Sequence, residues 1–162
     1  MNVNTKDMAI IIFHDKQGNV FVQERGENSK VGEKFAFWGG GINEGETPKQ
    51  ALIRELREEL RYVPEKFVFW KIHSFIMEEG GKYNGWLINL HTFFSPAPEG
   101  LENFKVYEGK GIVKMNLSKA ASNSGFHAKD RELLQSLKAA LDKENINLKK
   151  FLNKLADGIQ ED

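Results

Sequence analysis

The order of elements predicted from the sequence is strands, one helix, strands, then two helices. This argues an α+β fold, or a mixed sandwich, around one core. Three observations carry the prediction. Apolar, β-forming runs flank polar turns around residues 8–25 and again around 67–94. A single amphipathic pattern with helical period lies between them at 48–61. Two leucine-rich helical patterns close the chain, Leu133, Leu134, Leu137 and Leu141 in the first and Leu148, Phe151, Leu152 and Leu155 in the second.

Taken in order, "DMAIIIFHDKQGNVFVQER" reads as a β-hairpin with its turn at "HDKQGN". "NSKVGEK" is a loop, and "FAFW", Phe35 to Trp38, is one short strand that runs into the glycines Gly39 to Gly41. The first helix starts after them: Thr47 is an N-cap, Pro48 suits the first helical position, and Gln50 completes a capping box. It ends near Arg61, because Pro64 disfavours helical geometry at Val63. "FVFWKIHSFIMEE" and "WLINLHTFF" form a second, longer hairpin around "GGKYNG". "SPAPEG" breaks the pattern, and "GIVKMNL" offers one more short strand. The last helix is expected to stop just before Gly158.

A chain of 162 residues suits one domain and can bury a core without staples. Cysteine is absent, which removes disulfides, thiolate metal sites and a cysteine nucleophile, and fits a reducing compartment. Lys+Arg and Asp+Glu balance at 23 each, so no basic surface for nucleic acid or anionic membranes is expected. The early apolar run Met8 to Phe13 is too short for a signal-peptide core or a membrane span. A cytoplasmic protein is the expectation.

The first helix carries an electrostatic puzzle. At about 100° per residue, Leu52, Ile53, Leu56 and Leu60 share one sector, which is the core face. Gln50, Arg57 and Arg61 share a second, and Glu55, Glu58 and Glu59 a third beside the core. Like charges at three- and four-residue spacing repel by a few tenths of a kcal/mol each when exposed, and by more when partly buried. Arg54 offsets part of this. A divalent cation offsets it fully, since carboxylate oxygens are the hard ligands magnesium and manganese prefer. The glycine turn at 39–41 lets backbone approach a ligand closely and offers N–H groups to phosphate oxygens.

The spacing resembles the Nudix box, G-x5-E-x7-R-E-U-x-E-E-x-G-U, where U is a bulky apolar residue. Gly40, Glu46, Arg54, Glu55, Leu56, Glu58 and Glu59 fill it in order. Two positions depart: the second glycine is Arg61, and the final apolar residue is Tyr62. The glycine resembles a helix C-cap, where a side chain in the left-handed region costs about 1 kcal/mol. Beyond the box, "VFVQER" is similar to the family's strand ending in arginine, and "VYEGKGIVKMNLSKA" to its late strand leading into a helix. The resemblance implies an α/β/α sandwich with a mixed sheet over residues 1–145. The helix within 146–162 is an extension, packed on the domain, in a homodimer or against another partner.

The resemblance also implies hydrolysis of a diphosphate bond in a nucleoside diphosphate linked to another group. Mg2+ or Mn2+ would be held by Glu55, Glu58 and Glu59, with the Gly40 carbonyl as a further ligand. Glu55 is implied as general base, and Glu46 with Arg54 as the pair that orients loop and helix. A later loop supplies a further carboxylate in some members; Glu108 is the first candidate and Glu102 the second. Arg25 either contacts phosphate or forms a surface ion pair. Gly39 lies where backbone meets phosphate, and Phe37 and Trp38 either stack on a base or pack the core. Trp70 and Trp86 read as core; His14, His73, His91 and His127 show no metal-ligand spacing and read as structural or exposed, with a pocket edge as the alternative for His127. Downstream signatures of the ADP-ribose, dinucleoside-polyphosphate and NADH types are missing, which leaves a nucleoside triphosphate or a nucleotide sugar. The rival is a non-catalytic nucleotide-binding module, which typically lacks box glutamates.

Overall fold

The ten-residue strand β1 (Thr5–His14) organises the chain, because its side chains alternate between two cores. Ala9, Ile11 and Phe13 face one side, Ile10 and Ile12 the other, and all five are buried. A strand apolar on both faces belongs in the middle of a sheet covered on both sides. The computed structural model describes residues 2–29 and 32–159, and places β1 there.

Among the described residues, seven strands form one mixed sheet: five follow the order β3 (Phe35–Ala36), β2 (Asn19–Glu24), β1, β6 (Leu87–Pro96), β5 (Val68–Ile76), and β4 (Trp38–Gly41) and β7 (Gly111–Asn116) lie off this path on β1 and β2. β2 (Asn19–Glu24) closes the first hairpin. β5 (Val68–Ile76) and β6 (Leu87–Pro96) form the second, and β6 runs parallel to β1 over its whole length, from Thr5 opposite Leu87 to His14 opposite Pro96. β7 (Gly111–Asn116) pairs antiparallel with β2. The predicted single strand "FAFW" is instead two. β3 (Phe35–Ala36) pairs with β2, then the chain changes partner, and β4 (Trp38–Gly41) pairs with β1. The three glycines thus belong to a strand rather than to a turn. The physical reason is that β1 and β2 pair only at Phe13/Phe21 and His14/Val20. Beyond those pairs, β1 has free ladder groups that β4 satisfies.

Helix α1 (Pro48–Glu59) covers one face, burying Leu52 and Leu56 with Ile11, Phe13 and Trp38. α2 (Leu117–Ala121), α3 (Ala128–Glu144) and α4 (Leu148–Ile159) cover the other. This is the α/β/α sandwich that the resemblance implies, and it fits the mixed sandwich read from the element order. α4 runs through Gly158 rather than stopping before it. Its Leu148, Phe151 and Leu152 are buried in the same cluster as Leu137 and Leu141, and the Phe151 ring meets Trp70 edge-on at 6.2 Å. No helix among the described residues is long and apolar enough to cross a membrane.

Two consequences are measurable. Phe151→Ala removes a buried ring that joins α4 to β5, and should lower unfolding free energy by about 3 kcal/mol in urea titration. His14 is buried, and burial pushes its imidazole down to about 4. The unfolded chain binds that proton near pH 6.5, so the stability is full above about 6.5 and is lost as pH falls toward 4. The expected loss by pH 4.5 is about 2–3 kcal/mol. His14→Gln should flatten that limb relative to the wild type in urea titrations at pH 7 and 4.5.

Candidate active site

Helix α1 begins as its sequence dictates. The Thr47 hydroxyl accepts from Gln50 N, and the Gln50 side chain accepts from Thr47 N, at 3.1 and 2.9 Å. With its leucines in the core, the helix turns Arg54, Glu55 and Glu59 toward β4.

Arg54 is the centre of the arrangement. Its Nε and Nη2 donate to the two Glu46 oxygens at 2.9 and 3.0 Å, a bidentate pair. Nη2 also donates to the Gly41 carbonyl at 2.9 Å, and Nη1 to Glu55 Oε1 at 2.8 Å. Glu46 in turn accepts from Asn43 N at 2.8 Å. These hydrogen bonds, Arg54's first, hold the Glu46 carboxyl below its usual range. One guanidinium thereby ties the box loop, the glycine strand and the helix together.

Position 40 must be glycine for Glu55 to lie where it does. A Cβ on Gly40 would stand 2.5 Å from Glu55 Oε1 and 2.6 Å from its Cδ. Gly39 has φ +140, a conformation that side chains rarely adopt, and a Cβ there would strike the backbone of β1. Glu59 lies beside Glu55 and accepts from the Gly39 N–H. Burial, then the Glu108 charge, then the hydrogen bond and charge of Glu55 push the Glu59 carboxyl up to about 8. Its Oε2 is buried with no hydrogen-bond partner.

Glu108 reaches the same place from the segment before β7. Its Oε1 stands 3.4 Å from Arg25 Nη1. Arg25 is buried rather than on the surface, donates to Gln23 Oε1 at 2.7 Å, and lies 3.8 Å from Glu33. Glu58 is exposed and stands outside the cavity wall. Glu102 lies 3.9 Å from Lys114 and away from the cavity. Among the described residues, no three acidic or imidazole side chains already stand as a metal-ligating set.

A cavity of about 640 Å³ extends from these carboxylates over the α3 side of the sheet. Its apolar floor includes Ile10, Leu90, Phe75 and Met77, and Lys129 and Asp130 on the first turn of α3 add polar groups. Burial pushes the Asp130 carboxyl up to about 6, against the pull of the His127 charge. His127 lines the cavity, caps α3 through Nδ1, which accepts from Lys129 N, and lies 3.0 Å from Glu79.

The structure corrects one candidate outright. Trp38 is 2% exposed and packs edge-on against Phe13 at 5.6 Å on the α1 side, so it cannot stack on a ligand. Phe37, one residue earlier, points to the opposite face and lines the cavity while packing on Phe126. Sequence reasoning missed Gln23, Glu33, Phe75, Met77, Lys129 and Asp130 as cavity residues. The alternation of Phe75, near the end of β5, with Met77 just past it was a signal, but which face they share is set by pairing with β6.

A family model described as "NUDIX domain" matches residues 4–137. An "8-oxo-dGTP diphosphatase" of Haemophilus influenzae is 38% identical over 113 residues, 56% of this chain and 83% of that protein. The Escherichia coli protein of the same description is 37% identical over 60 residues, 37% of this chain and 46% of that protein. The chain spans about half the length of this relative and of the one from Proteus vulgaris. An E. coli "CTP pyrophosphohydrolase" is 25% identical over 99 residues, 61% of this chain and 67% of that protein. In fold, the chain matches the MutT protein from Methanosarcina mazei with a TM-score of 0.62, over 90% of this chain and 98% of that one, at 20% identity.

The contact of Gly40 with Glu55 predicts a contrast. Gly40→Ala should destabilise by roughly 1–3 kcal/mol, because the carboxylate it strikes is held by Arg54. Gly41→Ala should cost less than half as much, since its Cβ would meet only the flexible tip of Lys6, with Nζ at 2.9 Å. Thermal melts of the two variants side by side check this.

Proposed function

The chain belongs to the Nudix domain family, and from that premise we propose that it is a metal-dependent hydrolase of a diphosphate bond in a nucleoside triphosphate. The observation that carries the reading is the meeting of Glu55, Glu59 and Glu108 beside the glycine strand, at the mouth of a cavity large enough for a nucleotide. Like charges gathered in partial burial, with one buried carboxylate oxygen unpartnered, suit a hard divalent cation. Mg2+ fits this donor chemistry, and Mn2+ is the alternative. Glu55 and Glu59 would hold the ion, with Glu58 from the solvent side, the Gly40 carbonyl and Glu108 completing the set. When bound, such an ion neutralises phosphate charge and makes a water more acidic.

The chain's own groups then have distinct tasks. Arg54 and Glu46 keep the Glu55 carboxylate oriented. Glu55, as general base, takes a proton from the attacking water. Arg25 faces the phosphates, where charge-assisted hydrogen bonds hold them, while the Gly39 N–H is already engaged by Glu59. Phe75, Met77 and Leu90 receive the base, and Lys129 and Asp130 meet its polar edge. Relatives whose descriptions name 8-oxo-dGTP and CTP support a triphosphate over a nucleotide sugar. We infer a small nucleotide as the partner and the cytoplasm as the location. Homodimerisation stays a proposal that light scattering tests.

The test is a chromatographic screen of nucleoside triphosphates, oxidised triphosphates, nucleotide sugars, ADP-ribose and dinucleoside polyphosphates. Each is run with Mg2+, with chelator, and with Glu59→Gln and Glu58→Gln. Metal-dependent turnover of triphosphates is expected, lowered more than about 100-fold by Glu59→Gln. Mn2+ at about 100 times its Kd should also stabilise the wild type by about 2.7 kcal/mol, and Glu59→Gln should lose most of that. Nucleotide binding without any turnover would overturn the hydrolase reading in favour of a binding module.

A further inference from the structure

The two positions at which this chain departs from the box pattern, Arg61 and Tyr62, follow directly after α1 and its C-cap Leu60. Both touch one segment, residues 104–108. The Arg61 guanidinium lies over the Tyr107 ring, 4.0 Å from its centroid. The Tyr62 ring meets Phe104 edge-on at 5.9 Å. Among the described residues Arg61 forms no ion pair; the ring is where its charge goes. Arg61 also adopts φ +52, the left-handed conformation that glycine takes more easily. A side chain held there against its backbone preference needs a compensating contact, and Tyr107 supplies one.

Glu108 is the next residue along. The segment is tied at its far end by Lys110 N, which donates to Glu24 O at 2.8 Å, and at its near end by Phe104. Between these ties Tyr107 is exposed, at 40%, so no core packing secures it. We propose that Arg61 and Tyr62 are positioning residues: they clamp the 104–107 segment to the end of α1, so that Glu108 lines the cavity with Glu55 and Glu59. The helix that supplies two carboxylates thereby also sets the third. The inference rests on the metal-site reading above, and goes beyond it by assigning a task to the residues that replace the pattern's glycine and apolar position.

The test uses the full chain in three measurements. Mn2+ titration by electron paramagnetic resonance reads cation affinity. Amide hydrogen exchange of residues 104–110 in metal-free protein reads the clamp. Thermal melts separate both from global stability. Arg61→Gly should keep or raise the melting temperature, because glycine takes φ +52 freely. It should nonetheless weaken Mn2+ binding and speed exchange in the segment by about two- to fivefold, the worth of an exposed cation–ring contact. Tyr107→Ala should do the same, Arg61→Gly with Tyr107→Ala should do no more than either alone, and Arg61→Lys should keep most of the wild-type affinity. Wild-type exchange in Arg61→Gly, or additive losses in the double variant, would overturn the clamp. Unchanged Mn2+ affinity with faster exchange would overturn the placing of Glu108. If the wild type binds no Mn2+ while Arg61→Gly still speeds exchange, the metal-site reading fails and the clamp stands.

Discussion

The hydrogen bonds of Arg54 are the constraint on which the site depends. A guanidinium is a rigid planar fork that cannot lose its charge, so it joins groups at set angles as well as set distances. Here it joins Glu46, Glu55 and the Gly41 carbonyl, which come from a loop, a helix and a strand. Without such a centre, three elements meeting at a cavity mouth would each relax toward solvent. A lysine would supply the charge without the geometry. The arginine also explains how Glu55 can lie against bare backbone at Gly40, since its carboxylate is drawn there by a donor on its own helix.

That clamp works only because the sheet delivers glycine backbone to α1. The chain between Phe35 and Gly41 leaves β2 and joins β1, filling the ladder positions β1 would otherwise leave open. The change of partner brings β4 next to the helix, while Ala9 and Ile11 of β1 anchor the same helix through the core. Fold and site are thus coupled through one short strand. Substitution at Gly39 would break the ladder, and substitution at Gly40 would displace the carboxylate.

The electrostatics follow from the same convergence. Glu55, Glu59 and Glu108 approach from a helix and from the segment before β7, and burial together with the two neighbouring carboxylates raises the free energy of holding Glu59 charged. Arg25 offsets part of this from beneath, through Glu108. The protein alone leaves the negative charge of this site incompletely balanced, which is the physical basis of the cation site proposed above.

Much of this was legible in the chain itself. The capping box at Thr47, the leucine face of α1 and the spacing of Glu46, Arg54 and Glu55 are local, because helical period and cap chemistry act within a few residues. The two hairpins followed from runs of apolar residues whose length and alternation state their own burial, whereas the α/β/α layering came only with the resemblance carried by the box. Four features were not legible; two depend on which strand a residue pairs with, and two on how helix α1 and its end pack against distant parts of the chain. Trp38 and Phe37 are adjacent aromatic residues, and pairing alone sends one to the core beneath α1 and the other to the cavity. The glycines became a strand because β1 and β2 diverge. Glu58 and Glu59 are neighbours on one acidic face, and only the packed position of the helix exposes the first and half-buries the second, with its Oε2 out of solvent. Arg61 read as a flaw in helix termination until folding brought Tyr107, 46 positions along the numbering, against its guanidinium. Local free energies are written in the sequence; contacts between distant residues are decided by the tertiary structure, because sheet register and layer packing choose which local faces meet.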